Sequence, residues 1–389
     1  MKIGILTFHR PINYGAFLQS YALSNRLVKE FPNCDVEIID YIAPKEKKKI
    51  YVNILRRIKK QGIVAGIDEI KKIRKFQQSL EYLILSQKKI CTNKLEKLFE
   101  YIDSEYDVLV IGSDAVFNWN QNGYPTAFIP DYDFSIPLYT YAASVHGLRF
   151  YEESAERCAT CGKSFMKMKQ VFTRDRCTEW FVKYCASDCN VQHACDPTFL
   201  IDFQQLYGIK HRDMQIIREK YKVDRPYIVL MVQNDELSRV VYEQYHKDFV
   251  LVALFINNRY SDCFMKDLNP IEWSMVLKNA TVVVTSYFHG TLLTLQQGIP
   301  AIAIDVSHYN DNYEGKLQDL MVYRLEIPEL YFQIEDVEVN ADKLLFRIDE
   351  SINGTYDSRI KNGVEKERKS FKYFLEQLSD CIQKEEKKE

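Results

Sequence analysis

The clearest pattern of apolar and polar positions along the chain lies in residues 281–305. An apolar, β-branched run at 281–284 predicts a buried parallel strand. A polar turn follows at 286–290, and residues 291–297 then show the spacing of a short helix, which a glycine and a proline end. A second apolar run at 301–305 predicts the next strand, so the whole stretch is expected to form a strand–turn–helix–strand unit.

The turn of this unit carries the first candidate chemistry. In a β-α-β unit the turn after the strand lies at the carboxyl end of the sheet, where ligands bind. Free backbone N–H groups and the helix dipole also favour an anion there. Ser286, Tyr287 and His289 fall in this turn. We therefore predict that they contact a ligand; the alternative is a histidine that only caps the helix.

The same alternation of apolar runs and helical patterns recurs along the whole chain. The apolar runs predict strands at residues 2–7, 36–40, 106–111, 138–143 and 171–173, and again at 227–232 and 249–256. A polar, charged segment at 208–225 separates the two sets. Such alternation is typical of doubly wound α/β domains. It predicts two Rossmann-like domains, at residues 1–205 and 206–362, followed by a C-terminal helix and tail at 363–389.

Polar residues follow several strands of the first set. Asn13 can cap the helix after the first strand, and Gly15 lets its backbone approach a ligand closely. The strand at 106–111 runs into Ser113 and Asp114, which presents a carboxylate at the ligand-binding edge. Capping of the next helix is the alternative role for Asp114. The loops at this edge also contain Tyr14, His146 and Arg174.

Residues 45–100 form an insertion of different composition. Between residues 45 and 75 the chain has twelve Lys or Arg against three Asp or Glu, and isoleucines recur at near-helical spacing. One interpretation is a solvated helical insertion. The other is a basic amphipathic face that contacts an anionic membrane surface. The basic residues on which that hypothesis depends are Lys47, Lys48, Lys49, Arg56, Arg57, Lys59 and Lys60.

Composition limits the remaining function classes. The net charge of −2 gives no indication of nucleic-acid binding, and no apolar run is long enough to span a membrane. The opening residues predict a first strand, because their apolar run is too short for a signal peptide. No Gly-x-Gly-x-x-Gly motif is present, so a dinucleotide cofactor is not expected. We therefore expect a cytoplasmic protein without a cofactor, at most peripheral at the inner face of the cell membrane.

The ten cysteines are expected to be reduced thiols in that compartment. Six of them lie between Cys158 and Cys195, and the spacings Cys158-x-x-Cys161 and Cys185-x3-Cys189 could suit zinc. The first pair falls on a predicted helix, however, and we expect it not to converge with the second pair. No metal site is therefore predicted.

Taken together, the motifs resemble the bacterial polysaccharide pyruvyl transferases. Each matching stretch is short, but they occur in order along nearly the whole chain, and their combination is specific. They are Thr7…Asn13-Tyr-Gly-Ala16…Leu18-Gln19, Ile111-Gly-Ser-Asp114, Tyr141-Ala-Ala-Ser144, Arg174-Asp175, Cys195-Asp-Pro-Thr-Phe-Leu200, Asn269-Pro270 and Thr285-Ser-Tyr-Phe-His-Gly-Thr291. The family's fold is similar to the GT-B architecture of glycosyltransferases. The resemblance therefore implies two Rossmann-like domains with donor and acceptor in an interdomain cleft.

The resemblance also implies a reaction. Family members transfer pyruvate from phosphoenolpyruvate to two hydroxyls of a sugar, form a cyclic ketal and release phosphate. The acceptor is usually a lipid-linked or nucleotide-linked saccharide, expected on the first domain, with the donor on the second. Ketal formation requires a general acid and a general base. His289 and Asp114 lie on turns at the carboxyl ends of strands in opposite domains and are the candidates for these roles. We expect donor contacts from Arg174, Lys316, Ser286, Tyr287, Gly290 and Thr291, and acceptor contacts from Asn13, Tyr14, Gly15, Ser113 and His146.

The chain departs from the family pattern at the histidine motif. One branch of the family carries Arg-Leu-His-Gly where this chain has Tyr287-Phe-His-Gly290, and another branch has Ser-Phe-His-Gly, which this chain approaches. The arginine that would pair with the donor's anionic groups is therefore missing. Lys316 lies where relatives often carry an arginine, and Arg149 and Arg259 are further cationic candidates.

Two other functions are compatible with the sequence. A nucleotide-sugar glycosyltransferase on the same fold would need an acidic residue that binds a ribose, for which Glu314 is the nearby candidate. A non-catalytic scaffold in membrane glycan assembly would account for the missing arginine and for the basic insertion.

Overall fold

The computed structural model describes residues 1–123, 125–208, 213–306 and 315–386. Its contacts divide the chain into two compact units. Unit 1 contains Met1–Ile201 and the part of the last helix from Arg368 onward, and unit 2 contains Asp202–Glu367. The sequence predicts the boundary between the two domains at residue 205 and a C-terminal helix that is separate from both domains. In the structure the end of that helix packs within unit 1.

Parallel strand pairs form the framework of unit 1. The strands are β1 (Lys2–Leu6), β2 (Asp35–Ile38), β3 (Tyr41–Ile42), β4 (Ile90–Cys91), β5 (Val108–Ile111), β6 (Leu138–Thr140), β7 (Val171–Thr173) and β8 (Val191–His193). Four of them pair in the order β2-β1-β5-β6, while β3 pairs with β4 and β7 with β8. Two isolated bridges, Tyr139 to Gln170 and Ala143 to Thr173, connect the strand segment of β6 to that of β7. All of β5 is buried, as expected of a parallel strand covered on both faces.

The helices of unit 1 alternate with these strands. They are α1 (Tyr14–Glu30), α2 (Pro44–Ser79), α3 (Leu95–Glu105), α4 (Trp119–Asn122), α5 (Ala155–Lys167) and α6 (Arg176–Cys185). Asn13 caps α1 as predicted, since its Oδ1 accepts a hydrogen bond from the N–H of Ala16 at 3.2 Å. Helix α2 begins the predicted basic insertion. Gly62, at φ 85°, divides it into two helical segments, so its isoleucines do not form one continuous face.

A six-stranded parallel sheet forms the centre of unit 2. Its strands are β9 (Tyr227–Met231), β10 (Val250–Leu254), β11 (Cys263–Met265), β12 (Val282–Thr285), β13 (Ala301–Asp305) and β14 (Tyr331–Gln333). They pair in the order β11-β10-β9-β12-β13-β14. Every residue of β9, β10, β12 and β13 is buried, which explains their nearly continuous apolar sequences.

Two helices of unit 2 precede these strands, the others alternate with or follow them, and the last helix continues into unit 1. They are α7 (Phe203–Gly208), α8 (Met214–Tyr221), α9 (Asp235–Tyr245), α10 (Pro270–Lys278), α11 (Phe288–Gln296), α12 (Lys316–Gln318), α13 (Ile334–Val339), α14 (Ala341–Ile352) and α15 (Asp357–Glu386). Shorter turns of 3₁₀ or π type occur at Leu80–Tyr82, Phe150–Glu152, Pro197–Leu200, Asp319–Arg324 and Pro328–Leu330. Helix α8 lies in the segment predicted to be a link. The predicted unit around the histidine motif is present as β12–α11–β13, but α11 begins earlier than predicted, so His289 lies in its first turn.

The last helix completes the core of unit 1. The rings of Phe371 and Phe374 in α15 pack against Tyr141, with centroids 5.6 and 4.6 Å away. Ser370 Oγ accepts a hydrogen bond from the backbone N–H of Cys195 at 2.8 Å. Across the described residues, no helix is both long enough and apolar enough to cross a membrane.

Candidate active site

The turn between β12 and α11 lies at the carboxyl edge of the unit 2 sheet. The backbone N–H and the hydroxyl of Ser286 both donate to the carbonyl of Met231, at 3.1 and 3.3 Å, which ties the turn to the neighbouring strand β9. Gly290 has no room for a side chain: a Cβ there would lie 2.9 Å from Thr285 Oγ1 and 3.0 Å from Met231 Cε. Glycine therefore lets the first turn of α11 pack directly onto the end of β12.

The first turn of α11 has the electrostatics of an anion site. Tyr287 stands at the N-cap but makes no side-chain capping bond, and the turn contains no acidic residue. The half-buried His289 lies in this turn. The ammonium of Lys316, at the start of α12, lies 5.3 Å from the centroid of the Phe288 ring. The positive end of a helix dipole and a nearby cation both favour negative charge.

Two of the predicted donor contacts shape the turn. The Thr291 hydroxyl donates to the carbonyl of Tyr287 at 3.2 Å, and that of Ser286 donates to Met231, so both protons are engaged within the protein. The Tyr287 ring packs 5.6 Å from that of Phe255. Burial raises the pKa of Tyr287, so its phenol stays protonated and can donate a hydrogen bond.

The carboxyl edge of unit 1 has a different arrangement, centred on Arg174. Asp114 follows β5, Arg174 follows β7 and Asp196 follows β8. The Nη1 atom of Arg174 lies 3.5 Å from Asp114 Oδ1 and 3.1 Å from Asp196 Oδ2, and its Nε lies 3.8 Å from Asp175 Oδ2. The parallel strand order thus gathers one guanidinium and three carboxylates, which we call the Arg174 cluster.

Burial and charge oppose each other in the Arg174 cluster. Burial lowers the pKa of Arg174, but the carboxylates of Asp196, Asp114 and Asp175 outweigh it and raise that pKa, so the guanidinium stays charged. Its side chain is only 3% exposed, whereas that of Asp114 is 15% exposed. Asp114 is therefore the member of the cluster with the most access to solvent or substrate.

Hydrogen bonds fix the two less accessible carboxylates. Asp196 accepts from Gln19 Nε2 at 2.5 Å and from the N–H and hydroxyl of Thr198 at 2.9 and 2.6 Å. Asp175 accepts from Ser144 Oγ at 2.6 Å and caps α6. Gln19, Ser144 and Asp196 were not predicted as site residues. Their signal was present, because each belongs to one of the stretches that carry the family resemblance.

The predicted acceptor residues lie at the same edge of unit 1 but are not all brought together. Ser113 is buried, and its hydroxyl has no hydrogen-bond partner among the residues described. The half-buried His146 is close to the cluster, since its N–H donates to Ser144 Oγ at 3.2 Å. Tyr14 and Gly15 open α1, where the Tyr14 ring stacks on Phe76 of α2 at 6.1 Å. Asn13 uses its side-chain oxygen as the cap.

A cavity that the sequence did not predict lies beside β1 in unit 1, with a volume of about 210 Å³. Its walls include the aromatic residues Phe8, Tyr41 and Phe128 and the polar residues Thr7, His9, Asn93 and Thr126. Below it, the buried His9 contacts Asp40 Oδ1 through Nε2 at 3.2 Å, and Arg10 Nε donates to the same oxygen at 2.7 Å. Mixed aromatic and polar walls are typical of small-molecule sites.

The other candidates are placed away from these groups. Arg149 is exposed and pairs with Glu152, and Arg259 is exposed and pairs with Asp235. Glu314 lies outside the described residues.

The cysteines of α5 and α6 lie closer together than their spacing in the sequence indicates. Cys158 and Cys161 lie on α5 and are buried, as a predicted helix pair would be. Because α5 and α6 pack together, Cys185 comes close to both: burial first, and then these two neighbours, raise the pKa of its thiol. The prediction was that the two pairs do not converge on a metal, and the proximity of Cys185 does not contradict it. Within the described ranges, no group of three or more His, Cys, Asp or Glu residues has the geometry to hold a metal ion.

Solved structures share this fold at low sequence identity. The UDP-GlcNAc 2-epimerase of Neisseria meningitidis bound to UDP-GlcNAc has a TM-score of 0.60 and 10% identity, over 98% of this chain and 100% of that one. Anabaena HepE in complex with UDP has a TM-score of 0.53 and 10% identity, over 99% of this chain and 100% of that one. The UDP-GlcNAc 2-epimerase of Methanocaldococcus jannaschii has a TM-score of 0.52 and 13% identity, over 91% and 93%. This likeness confirms the predicted fold class, α/β with two Rossmann-like domains of the GT-B type.

Sequence comparison identifies the family. No curated protein sequence matches the chain significantly. The profile of the family described as polysaccharide pyruvyl transferase, however, matches residues 13–308, well over half of the chain. The match includes Asp114, Arg174 and the whole β12–α11–β13 unit. The protein therefore belongs to the polysaccharide pyruvyl transferase family.

Proposed function

We propose that this protein transfers pyruvate from phosphoenolpyruvate to two hydroxyls of a saccharide, forms a cyclic ketal and releases phosphate. Family membership supports a transferase of polysaccharide biosynthesis. The observation that carries the specific reaction is the first turn of α11, where a helix N-terminus without an acidic residue is combined with His289 and has Lys316 beside it.

The donor is assigned to unit 2. Phosphoenolpyruvate carries a phosphate and a carboxylate, and the first turn of a helix suits one of these anions. Lys316 supplies a point charge for the same ligand, without the bidentate geometry of an arginine. Gly290 lets the turn pack onto β12, while Tyr287 can donate a hydrogen bond from its protonated phenol. Ser286 and Thr291 support this site by holding the turn in shape.

The chemistry needs one proton donor and one proton acceptor. We assign His289 to protonate C3 of the enol, which leaves C2 electrophilic, and Asp114 to accept the proton of the first sugar hydroxyl as it attacks C2. The C2–O bond to phosphate then breaks, and the second hydroxyl closes the ring at C2. One hydroxyl proton restores the acid and the other leaves with the phosphate, so atoms and charge balance. Arg174 positions the Asp114 carboxylate.

The acceptor is assigned to unit 1. The cavity beside β1 offers aromatic walls for a sugar ring and polar groups for its hydroxyls. Ser113, His146 and the start of α1 lie at the same sheet edge and are the further candidates for acceptor contacts. The saccharide is expected to be linked either to a lipid or to a nucleotide.

Ligand-induced stabilisation tests the donor assignment. A ligand that binds the folded protein raises its melting temperature, so we expect phosphoenolpyruvate to raise the Tm of the full chain. UDP-sugars form the second arm, because two of the solved structures named above were determined with UDP-GlcNAc or UDP. A rise with UDP-sugar alone would favour a glycosyltransferase. No rise with either ligand, together with no phosphate release, would favour a scaffold.

Replacement of Asp114 tests the base. We expect Asp114→Asn to reduce phosphate release from phosphoenolpyruvate by about 10²–10⁴-fold with UDP-linked and polyprenyl-linked saccharides as acceptors. Binding of phosphoenolpyruvate, measured by thermal shift, should be unchanged. Loss of a proton-transferring group should reduce the rate far more than threefold. If phosphate release stays within threefold of wild type, Asp114 is only structural.

A further inference from the structure

Helix α2 of unit 1 has a sharp break that forms an exposed corner. Gly62 breaks the helix with φ 85° and ψ 175°, and residues on the two sides of the break contact each other. Arg57 Nε lies 3.4 Å from Glu69 Oε2, and a Cβ at Gly66 would lie 2.3 Å from Ile58 Cγ1. The two segments therefore meet at a defined bend, which we call the α2 corner (residues 55–67).

The α2 corner exposes large apolar side chains. Val64, Ile63 and Leu55 are 73%, 71% and 66% exposed, more than any other large apolar side chain among the described residues. At the other end of the same helix, Ile73 and Phe76 are buried. The helix is thus anchored in unit 1 by its end, and no described part of the chain covers its apolar surface at the corner. Isolated exposed apolar residues are common, but a cluster of them marks an interaction site.

Charge indicates what covers this cluster. Residues 55–67 contain four basic residues and no acidic residue, while Asp68 and Glu69 follow directly and Glu69 pairs with Arg57. The basic residues, all exposed, are Arg56, Arg57, Lys59 and Lys60. Apolar side chains flanked by lysine and arginine are typical of segments that lie in the interface of an anionic bilayer. The cations interact with the headgroups, while the apolar side chains enter the acyl boundary.

We propose that the α2 corner binds the surface of an anionic lipid bilayer, with Ile63 and Val64 inserted and Lys59 and Lys60 at the headgroups. The sequence hypothesis was a basic amphipathic face along the insertion, and the break at Gly62 divides that face into two helical segments. The inference is independent of the proposed reaction, since vesicle binding requires neither donor nor acceptor.

Co-sedimentation of the full chain with vesicles tests the proposal. We expect binding to vesicles that contain phosphatidylglycerol, weak binding to pure phosphatidylcholine, and a loss of binding as salt rises. Ile63→Asp/Val64→Asp and Lys59→Glu/Lys60→Glu should each weaken binding by at least about tenfold. Thermal melts confirm that each variant is folded.

Matched variants separate the corner from general effects of charge and hydrophobicity. Ile216 is 62% exposed in unit 2, so Ile216→Asp removes an equally exposed apolar side chain. Lys361→Glu/Lys369→Glu changes the net charge by the same amount on exposed positions of α15. Both should bind vesicles like wild type.

Three outcomes would overturn the proposal. Wild-type protein could stay in the supernatant with phosphatidylglycerol vesicles at low salt, or the control variants could lose binding as much as the corner variants do. Alternatively, the corner variants could keep vesicle binding while sedimentation velocity without lipid shows that they have lost self-association. In that case a second copy of the chain covers the corner. Measurable pyruvyl transfer in any of these cases leaves the proposed function intact.

Discussion

Both units end their parallel strands in a cluster of polar side chains, but the two clusters are electrostatic opposites. In unit 1, Arg174 is buried among three carboxylates, so the edge is acidic and neutralises its own cation. In unit 2, the first turn of α11 has no acidic residue and no side-chain cap, and Lys316 lies close to it. The edge of unit 1 therefore suits the acceptance of a proton, and the edge of unit 2 suits the binding of an anion.

The comparison shows that a cation's surroundings matter more than its presence in a motif. Arg174 and Lys316 were both predicted to hold the donor's anionic groups. The three carboxylates around Arg174 would repel an incoming phosphate, since like charges at short range in a buried site are costly. The geometry therefore favours Arg174 as a positioning residue for Asp114 and leaves Lys316 as the better candidate for the anion.

The largest expected effect concerns the acid in unit 2. His289→Gln should reduce phosphate release by about 10²–10⁴-fold if the side chain transfers a proton. Glutamine keeps much of the shape and polarity but cannot supply the proton, so the melting temperature should change little. Loss of a proton donor should reduce turnover by much more than threefold. Turnover within threefold of wild type would therefore remove His289 from the mechanism.

Removal of the cation from the unit 1 cluster should act on stability. Arg174→Ala leaves three neighbouring carboxylates without their guanidinium, and loss of one partner from a buried ion pair costs about 3–5 kcal/mol. We expect a decrease of that size in the free energy of unfolding, measured with urea. Lys316→Ala is the matched control, and it should decrease the free energy of unfolding by about 0.5 kcal/mol or less. A stable Arg174→Ala protein with weakened phosphoenolpyruvate binding would restore Arg174 to the donor site.

A fourth carboxylate at the unit 1 edge, Asp40, sharpens the comparison through its pH dependence. Burial alone would raise the pKa of Asp40, but hydrogen bonds from His9 and Arg10 outweigh it and lower that pKa from 3.8 to about 2. The stabilisation is therefore fully present above pH 3.8 and is lost as pH falls through about 2. Asp40→Asn should cost about 2 kcal/mol near neutral pH.

Acid titration checks this window. The difference in unfolding free energy between wild type and Asp40→Asn should shrink as pH falls toward 2. Asp133→Asn removes a carboxylate that is 89% exposed and should have almost no effect. A difference that does not depend on pH would mean that Asp40 acts through packing and not through its charge.

The smallest expected effect concerns the anion in unit 2. Lys316→Ala should weaken phosphoenolpyruvate binding by about tenfold, the size of one charge-assisted hydrogen bond. Lys316→Arg should retain or improve binding, because arginine can contact phosphate with two parallel hydrogen bonds. Isothermal titration measures both. Unchanged affinity in Lys316→Ala would mean that the backbone of α11 holds the anion without this side chain.

The sequence by itself determined the local elements. The apolar runs predicted the central strands, and Asn13 predicted the start of α1. The β12–α11–β13 unit and its histidine followed from periodicity and turn chemistry. These features depend on hydrogen bonds and side-chain periodicity within a few residues, which a single sequence displays directly.

Tertiary structure alone decided which groups meet. Arg174 contacts Asp114 and Asp196, which are 60 and 22 residues away, because the strands that precede them end at one edge. Cys185 meets Cys158 through the packing of α5 on α6, and the conformation of Gly62 divides the apolar face of α2. Strand order, helix packing and a single backbone angle are properties of the whole fold. Residue spacing identified the chemical groups, and only the folded chain showed which of them neutralise one another.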